Sequence, residues 1–336
     1  MVVLPDKAQS YKDMESVEMR THHGFTLVEI AIVLVIVGLA LGMLLPLSSG
    51  MQDVQKRQAV QTKLSAIDTA MVNFVAQNRR LPCPADGTIA TGAAGAGVET
   101  LNPGTGLCVP ANQANGVVPW VTLGLSDSDA SDPWAGRISY RVFPPLAFTP
   151  PAITPVAVGQ GLLDMTACDP AGTSITPIVI TGGCGGFTAL AGCTQCATAA
   201  GCAMGSPLGN CVPPATYLAA KGLDVWNGVG GAAGWVTRTN NRAGGSGAAY
   251  VLISHGPSGA GAYNGGGILQ PGNVAPGTDE AFNSNGIAVY TAGTLATTYR
   301  DAQLTDLAGA THFDDYLSHP TIMTVLQKAN LGPRAH

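Results

Sequence analysis

Charged residues are scarce in this sequence, making up 11% of its 336 residues, and the net charge is -5. The part that follows residue 81 holds eight Lys and Arg against fourteen Asp and Glu, so this part is acidic. A protein surface that binds nucleic acid carries an excess of the opposite sign. The composition therefore argues against RNA or DNA as a partner.

The common catalytic motifs are also missing. No glycine run ends in Gly-Lys-Ser or Gly-Lys-Thr, so the chain has no phosphate-binding loop of this type and no motor of its own. The stretch HGPSGAG, residues 255–261, places a serine between glycines but does not form G-x-S-x-G. Ser254 and His255 are neighbours, and neighbours in a strand point to opposite faces, which argues against a catalytic dyad. We therefore predict that the protein is not an enzyme.

Cysteine is absent from the first 82 residues, and all eight cysteines follow in a part rich in glycine and proline. This composition predicts short strands and long loops. An even number of cysteines confined to one side suggests disulfides formed in an oxidising compartment such as the bacterial periplasm, with the pairing left open. Zinc is the alternative, because Cys193-x-x-Cys196 has ligand spacing. The disulfide candidates are Cys83, Cys108, Cys168, Cys184, Cys193, Cys196, Cys202 and Cys211.

One long apolar run lies near the start of the chain. The run from Ile30 to Leu47 holds no charge. As a helix, it is long enough to cross most of a bilayer. Glu29 stands at its start, where a carboxylate inside a membrane is costly and so is expected to have a task. A secretory signal peptide has a shorter run and a cleavage site after it, whereas a helical pattern follows here, which favours a retained anchor.

Apolar residues then recur every three or four positions, which predicts an amphipathic helix. Together with the anchor it forms one expected helix from about Phe25 to Arg80, ended by Pro82. Its first half is apolar on all sides, and its second half is expected to lie on a globular domain. The predicted buried stripe consists of Val60, Leu64, Ile67, Met71 and Phe74.

The segment GFTLVE, residues 24–29, followed by the apolar helix, resembles the class III leader and N-terminus of type IV pilins and of the pseudopilins of type II secretion. The resemblance implies that a prepilin peptidase cuts between Gly24 and Phe25 and methylates the new amine of Phe25. Glu29 would then pair with the positively charged Phe25 terminus of a neighbouring subunit. Opposite charges attract strongly in a low-dielectric helix bundle, so this pair would set the register of the subunits.

Gly38 and Pro46 stand where pilin helices carry such residues. The resemblance implies that they assist assembly, because proline removes a backbone hydrogen bond and weakens the helix there. Pilin leaders are usually short and basic, whereas residues 1–24 are long and partly acidic. We therefore expect translation to start at Met19, giving the leader MRTHHG, with Arg20 keeping this end cytoplasmic.

Two loops of the following part also resemble pseudopilins. DPWAGRISYRV, residues 132–142, resembles the Asp-Pro-Trp-Gly turn before a strand, although Ala135 precedes the glycine. The glycine-rich and acidic stretch of residues 256–283 resembles a calcium-binding loop. Calcium prefers six to eight oxygen ligands, so Asp279 and Glu280 with backbone carbonyls are the predicted ligands. A second candidate set is Asp127, Asp129 and Asp132.

Three further segments give local predictions. Residues 137–143 predict a strand with Ile138, Tyr140 and Val142 on one side, and AAYVLISHG, residues 248–256, predicts a buried strand. Asp314 and Asp315 are expected before a final strand or short helix. The histidines that flank this acidic pair, His312 and His319, are interpreted as structural.

The expected fold is α+β, with a long N-terminal helix, transmembrane in its first half, packed on a β-rich domain that carries a disulfide-stapled insertion. The expected divisions are a leader at 1–24, a transmembrane or filament-core helix at 25–47, its amphipathic continuation at 48–81 and the β-rich domain at 82–336. The insertion spans about 144–215 and contains six of the eight cysteines.

The resemblance implies a minor pilin or pseudopilin, a structural subunit of a type IV pilus or type II secretion filament. The alternative is a membrane-anchored adhesin or binding protein with a pilin-like leader that does not polymerise. Expected partners are the prepilin peptidase, other pilin or pseudopilin subunits, the inner membrane, and the assembly platform with its ATPase. The expected location is the bacterial inner membrane and then a periplasmic or cell-surface filament. No cofactor is required, and structural calcium is possible.

Overall fold

The structure is a computed structural model of the chain. It describes residues 26–102, 108–109, 116–142, 163, 222–227, 237–240, 247–271, 279–284, 290–291, 294–295, 298–305 and 312–332. The chain divides into two compact units, Met1–Gln55 and Lys56–His336.

Helix α1 spans Leu27–Asn78 and has 52 residues, which confirms the long N-terminal helix. It continues without a break through Gly38 and Pro46. At its end Arg79 takes a left-handed conformation, with φ of 54°, and its N–H donates to the Val75 carbonyl at 2.7 Å.

The described side chains of α1 in the first unit are almost all exposed. Leu27 is 86% exposed, and the other large apolar residues up to Leu39 are all more than two-fifths exposed. Among the described residues, none of the helices combines the length and the apolar character needed to cross a membrane. The transmembrane first half therefore stays a prediction.

In the second unit, α1 buries one stripe of its surface. The predicted residues from Val60 to Met71 are buried, but the stripe then continues to Val75 instead of Phe74. At 100° per residue Phe74 and Val75 lie about equally far, roughly 50°, from the centre of the stripe, so helix geometry alone does not choose between them. Phe74 is only half-buried and lies under the Arg80 guanidinium, 5.1 Å from its ring centre.

The described strands of the second unit are short. They are β1 (Ala85–Asp86), β2 (Gly116–Val117), β3 (Gly136–Arg137), β4 (Ser139–Val142), β5 (Asp224–Asn227), β6 (Thr237–Asn240), β7 (Tyr250–Ser254), β8 (Tyr263–Asn264), β9 (Tyr290–Thr291), β10 (Thr294–Leu295), β11 (Thr298–Arg300) and β12 (Tyr316–Ser318). The main sheet is antiparallel, with the strand order β1-β2-β4-β7-β12. The remaining described strands form a β11-β5-β6 sheet and the pairs β3-β8 and β9-β10. Two short helices, α2 (Asp279–Asn283) and α3 (Ile322–Lys328), lie in the C-terminal part.

The central strands agree with the sequence prediction, except that β4 is buried on both faces. β7 is buried along its whole length, as expected for residues 248–256. Ile138, Tyr140 and Val142 are buried, but the alternate residues Ser139 and Arg141 are buried as well. This second face is tolerated because its polar groups have partners: Arg141 donates from Nη1 to the Gly116 carbonyl at 2.9 Å.

One disulfide is present among the described residues. It joins Cys83, just after α1, to Cys108, and both cysteines belong to the hydrophobic core. The six other cysteines lie outside the described residues. So does the predicted insertion at 144–215, apart from Leu163, which is buried.

Candidate functional site

The N-terminal end of α1 is closed by a reciprocal pair of side chains. Glu29 Oε2 accepts hydrogen bonds from the Thr26 backbone N–H at 3.0 Å and from Thr26 Oγ1 at 3.1 Å. The Glu29 backbone N–H donates back to Thr26 Oγ1 at 3.3 Å. This is a capping box, which satisfies donors that the first turn of a helix leaves unpaired. The sequence signal, Thr-x-x-Glu before an apolar run, was available but was not used in the sequence prediction.

The apolar surface that follows this cap is large. Gly38 is exposed, and a Cβ at this position would meet no atom within 4 Å beyond the surrounding backbone of α1. Contiguous exposed apolar surface of this extent marks a protein or membrane contact rather than a solvent-facing helix. Gly24 and Phe25, the predicted cleavage residues, lie outside the described residues.

Residues 19–45 match a family model described as the prokaryotic N-terminal methylation motif. The N-terminal segment of the chain is therefore similar to a class III prepilin leader with the helix that follows it. The resemblance of residues 24–29 is thereby confirmed, and the pilin-like segment comprises the capping box and the exposed apolar surface. No curated protein and no solved structure matches the chain.

The segment at residues 132–136, which resembles a pseudopilin turn, forms a tight turn in the structure. Asp132 Oδ1 accepts hydrogen bonds from the backbone N–H groups of Trp134 and Gly136, both at 2.9 Å. Ala135 has φ of 66°, so it occupies the left-handed position where the Asp-Pro-Trp-Gly motif has glycine. A side chain is unfavourable in this conformation, and the departure from the motif therefore carries backbone strain.

The second calcium candidate set has other partners. Asp132 Oδ2 accepts from Ser254 Oγ at 2.8 Å, and Asp127 Oδ1 lies 3.7 Å from Arg137 Nε. Asp129 accepts from the hydroxyl and the backbone N–H of Ser126, and these hydrogen bonds lower the pKa of Asp129. Each of the three carboxylates thus has a hydrogen-bond or ion-pair partner within the protein.

The first calcium candidates, Asp279 and Glu280, begin α2 and are both buried, but they face different groups. Asp279 Oδ1 lies 3.6 Å from Nε of Arg300, whose guanidinium is 4.2 Å from the centre of the Phe282 ring. Burial lowers the pKa of Arg300 to about 10, and the charge of Asp279 acts in the opposite direction. Calcium binding itself stays a prediction.

Glu280 lies in a cluster with His312 and Asp314, which we call the α2 cluster. His312 Nε2 is 3.5 Å from Glu280 Oε1 and 3.7 Å from Asp314 Oδ2. Burial raises the pKa of Glu280 to about 8, helped by the hydrogen bond to Asp314 and the charges of Asp315 and Asp314. Ser258 fixes Asp314 with two hydrogen bonds, from its N–H to Oδ2 at 2.7 Å and from its Oγ to Oδ1 at 3.0 Å. The sequence prediction missed this cluster, because Glu280 is distant in the chain from His312 and Asp314.

A buried polar group at the ends of three strands of the main sheet has the order of a hydrolase triad. Ser139 Oγ lies 2.8 Å from His255 Nε2, and His255 Nδ1 lies 3.5 Å from Asp315 Oδ1. Ser139 and His255 have no exposed surface, and Asp315 is 3% exposed. A nucleophile needs contact with its substrate. This group therefore joins β4, β7 and the start of β12 as a buried polar network.

Proposed function

We propose that the chain is a structural subunit, a minor pilin or pseudopilin, of a type IV pilus or type II secretion filament. The observation that carries this proposal is the methylation motif at residues 19–45, directly followed by exposed apolar helix surface. A surface of this kind is stable only when it is covered by lipid or by other helices. In the membrane, lipid would cover this apolar surface. In the filament, the helices of neighbouring subunits would cover it.

Maturation, in this proposal, exchanges one partner of Glu29 for another. In the uncut chain Glu29 caps its own helix through Thr26. Cleavage after Gly24 would place the methylated amine of Phe25 at the end of the helix. Glu29 would then pair with this amine on a neighbouring subunit, where burial between helices strengthens the attraction.

The other partners follow from the same proposal. The prepilin peptidase cuts the leader, and an inner-membrane platform with its ATPase moves the subunit from the membrane into the filament. The second unit would then lie in the periplasm or at the cell surface. The role is non-enzymatic, and Gly38 and Pro46 would let the helix adapt to packing in the filament.

The charge on Glu29 can be tested separately from its capping role. Glu29→Gln keeps the size and the acceptor oxygen of the side chain, whereas Thr26→Ala removes the hydroxyl of the cap and leaves the charge. We expect sheared filaments to contain at least about tenfold less of the Glu29→Gln subunit, because a lost charge pair costs more than 1.4 kcal/mol in low dielectric. Thr26→Ala is expected to enter filaments near the normal level. The measurement is an immunoblot of filament and membrane fractions together with the mass of the processed N-terminus.

Three outcomes would contradict parts of the proposal. Normal incorporation of Glu29→Gln would mean that the charge has no role in register. Equal loss with both variants, at normal cleavage, would assign the effect to the helix cap. Processed protein that never enters filaments, even as the wild type, would favour the non-polymerising adhesin.

A further inference from the structure

The α2 cluster combines one imidazole and two carboxylates from two distant parts of the chain. Glu280 comes from the first turn of α2, and His312 and Asp314 come from the segment that precedes β12. Their three ligand atoms all lie within 4.8 Å of one another. We propose that these three residues bind a divalent ion of the zinc class and so fasten α2 to the segment before β12.

Two of the three separations between ligand atoms are close to those of tetrahedral coordination. A zinc ion with ligands at about 2.0 to 2.1 Å holds its ligand atoms about 3.4 Å apart. The two separations from His312 Nε2, 3.5 Å to Glu280 and 3.7 Å to Asp314, need only small movements to reach this value. Because the His312 side chain is 28% exposed, a water molecule has access to the fourth position.

A second observation concerns the hydrogen bonding of Glu280. Glu280 is 3% exposed, and its Oε1 accepts no hydrogen bond from any residue that the structure describes. A buried carboxylate oxygen without a donor costs about 1 to 3 kcal/mol or more. This oxygen points at His312 Nε2, which is where an ion between the two would lie.

The surrounding charges also favour a cation. The carboxyl groups of Glu280 and Asp314 lie together in the cluster, with ligand atoms within 4.8 Å of one another. The buried cation nearest along the chain, Arg300, faces Asp279 through its Nε instead. A divalent ion would relieve the repulsion among the carboxyl groups.

The donor set selects the class of ion. Calcium prefers six to eight oxygen ligands, whereas zinc accepts a mixture of imidazole and carboxylate in four-coordinate sites. Ser258, which holds both oxygens of Asp314, supplies the outer contact that orients a ligand in such sites.

The test uses the full-length chain in detergent, titrated with Zn²⁺, with Co²⁺ as a spectroscopic substitute. We expect one Zn²⁺ per chain and a melting temperature that rises with the free Zn²⁺ concentration. Co²⁺ is expected to give the absorption of a tetrahedral nitrogen and oxygen site without a thiolate charge-transfer band. The absence of this band distinguishes metal binding at the α2 cluster from metal binding by the cysteines.

His312→Gln is the decisive variant, because His312 is partly exposed and its replacement leaves the core unchanged. We expect its Zn²⁺ affinity to fall by at least about 100-fold, and that of Ser258→Ala by about 10- to 100-fold. His319→Gln is the matched control, since His319 pairs with Asp301 outside the cluster, and is expected to bind like the wild type.

Three results would overturn the proposal. The first is a wild-type chain whose melting temperature does not respond to Zn²⁺. The second is binding at the wrong residues, which has two signatures. One is a His312→Gln chain that binds Zn²⁺ like the wild type, and the other is a thiolate band in the Co²⁺ spectrum of the wild type. The third is stabilisation by Ca²⁺ alone, equal in the wild type and in His312→Gln, which would assign calcium to this part of the chain.

Discussion

The two halves of α1 have the same backbone conformation but opposite surroundings. In the first unit the large apolar residues are exposed, from Leu27 at 86% to Val37 at 46%. In the second unit Val60, Ile67 and Met71 have no exposed surface. The comparison indicates that one half stabilises the folded chain, while the apolar surface of the other half has no such role within a single chain.

The largest expected effect comes from the same substitution made in each half. Ile67→Ala removes a fully buried side chain and should lower the free energy of unfolding of the second unit by about 2 to 5 kcal/mol. Ile32→Ala, at a position that is 54% exposed, should change it by less than about 0.5 kcal/mol but reduce filament yield. The measurement is urea unfolding followed by the fluorescence of buried Trp120.

Similar destabilisation by Ile32→Ala and Ile67→Ala would contradict the comparison. It would mean that the first half of α1 is covered within the single chain. Normal filament yield with Ile32→Ala would instead show that this side chain lies away from the subunit contacts.

A smaller effect tests whether stability and assembly can be changed separately. Ala135→Gly relieves a left-handed alanine, with φ of 66°, and should raise the free energy of unfolding by about 1 kcal/mol. Gly124→Ala is the matched reverse change, since Gly124 has φ of 71° and open space around its Cβ position. It should lower stability by a similar amount.

Thermal unfolding of Ala135→Gly and Gly124→Ala would measure both shifts, and the yield of filaments should stay constant for the two. A yield that follows the melting temperature would show that assembly depends on the stability of the second unit. An unchanged melting temperature in both variants would mean that backbone strain has little weight at these turns.

The smallest expected effect is a pH dependence at Asp68, on the second half of α1. Asp68 accepts hydrogen bonds from Tyr250 Oη at 2.8 Å and Ser318 Oγ at 2.6 Å. Burial nevertheless raises the pKa of Asp68, although these bonds act in the opposite direction. The proton on Asp68 therefore adds stability below the ordinary value of 3.8, and this contribution is lost as the pH rises through the folded pKa.

Asp68→Asn resembles the protonated form and removes this titration. The free energy of unfolding of Asp68→Asn, relative to that of the wild type, should therefore be higher at neutral pH than below pH 3.8. Asp53→Asn, at an exposed position of the same helix, is the control and should show no such trend. A difference between wild type and Asp68→Asn that is constant with pH would contradict the expectation.

The sequence alone determined the features that depend on local order. The pilin-like segment is a contiguous motif, the period of apolar residues predicted α1, and an apolar run predicted β7. These signals lie within a few turns or one strand, so no distant contact is needed to recognise them. The boundary of the buried stripe was wrong by one residue, at Phe74, because two adjacent apolar residues could each end it.

Only the tertiary structure decided which distant side chains meet. The pairing of Cys83 with Cys108, the buried group of Ser139 with His255, and the α2 cluster all join segments that the sequence separates. His312 is interpreted as structural from the sequence because histidines scattered in a C-terminal segment are more often structural than ligands, even beside an acidic pair. Its partner Glu280 reaches it through the folding of α2 against the segment before β12, and that contact depends on packing over the whole unit instead of local periodicity.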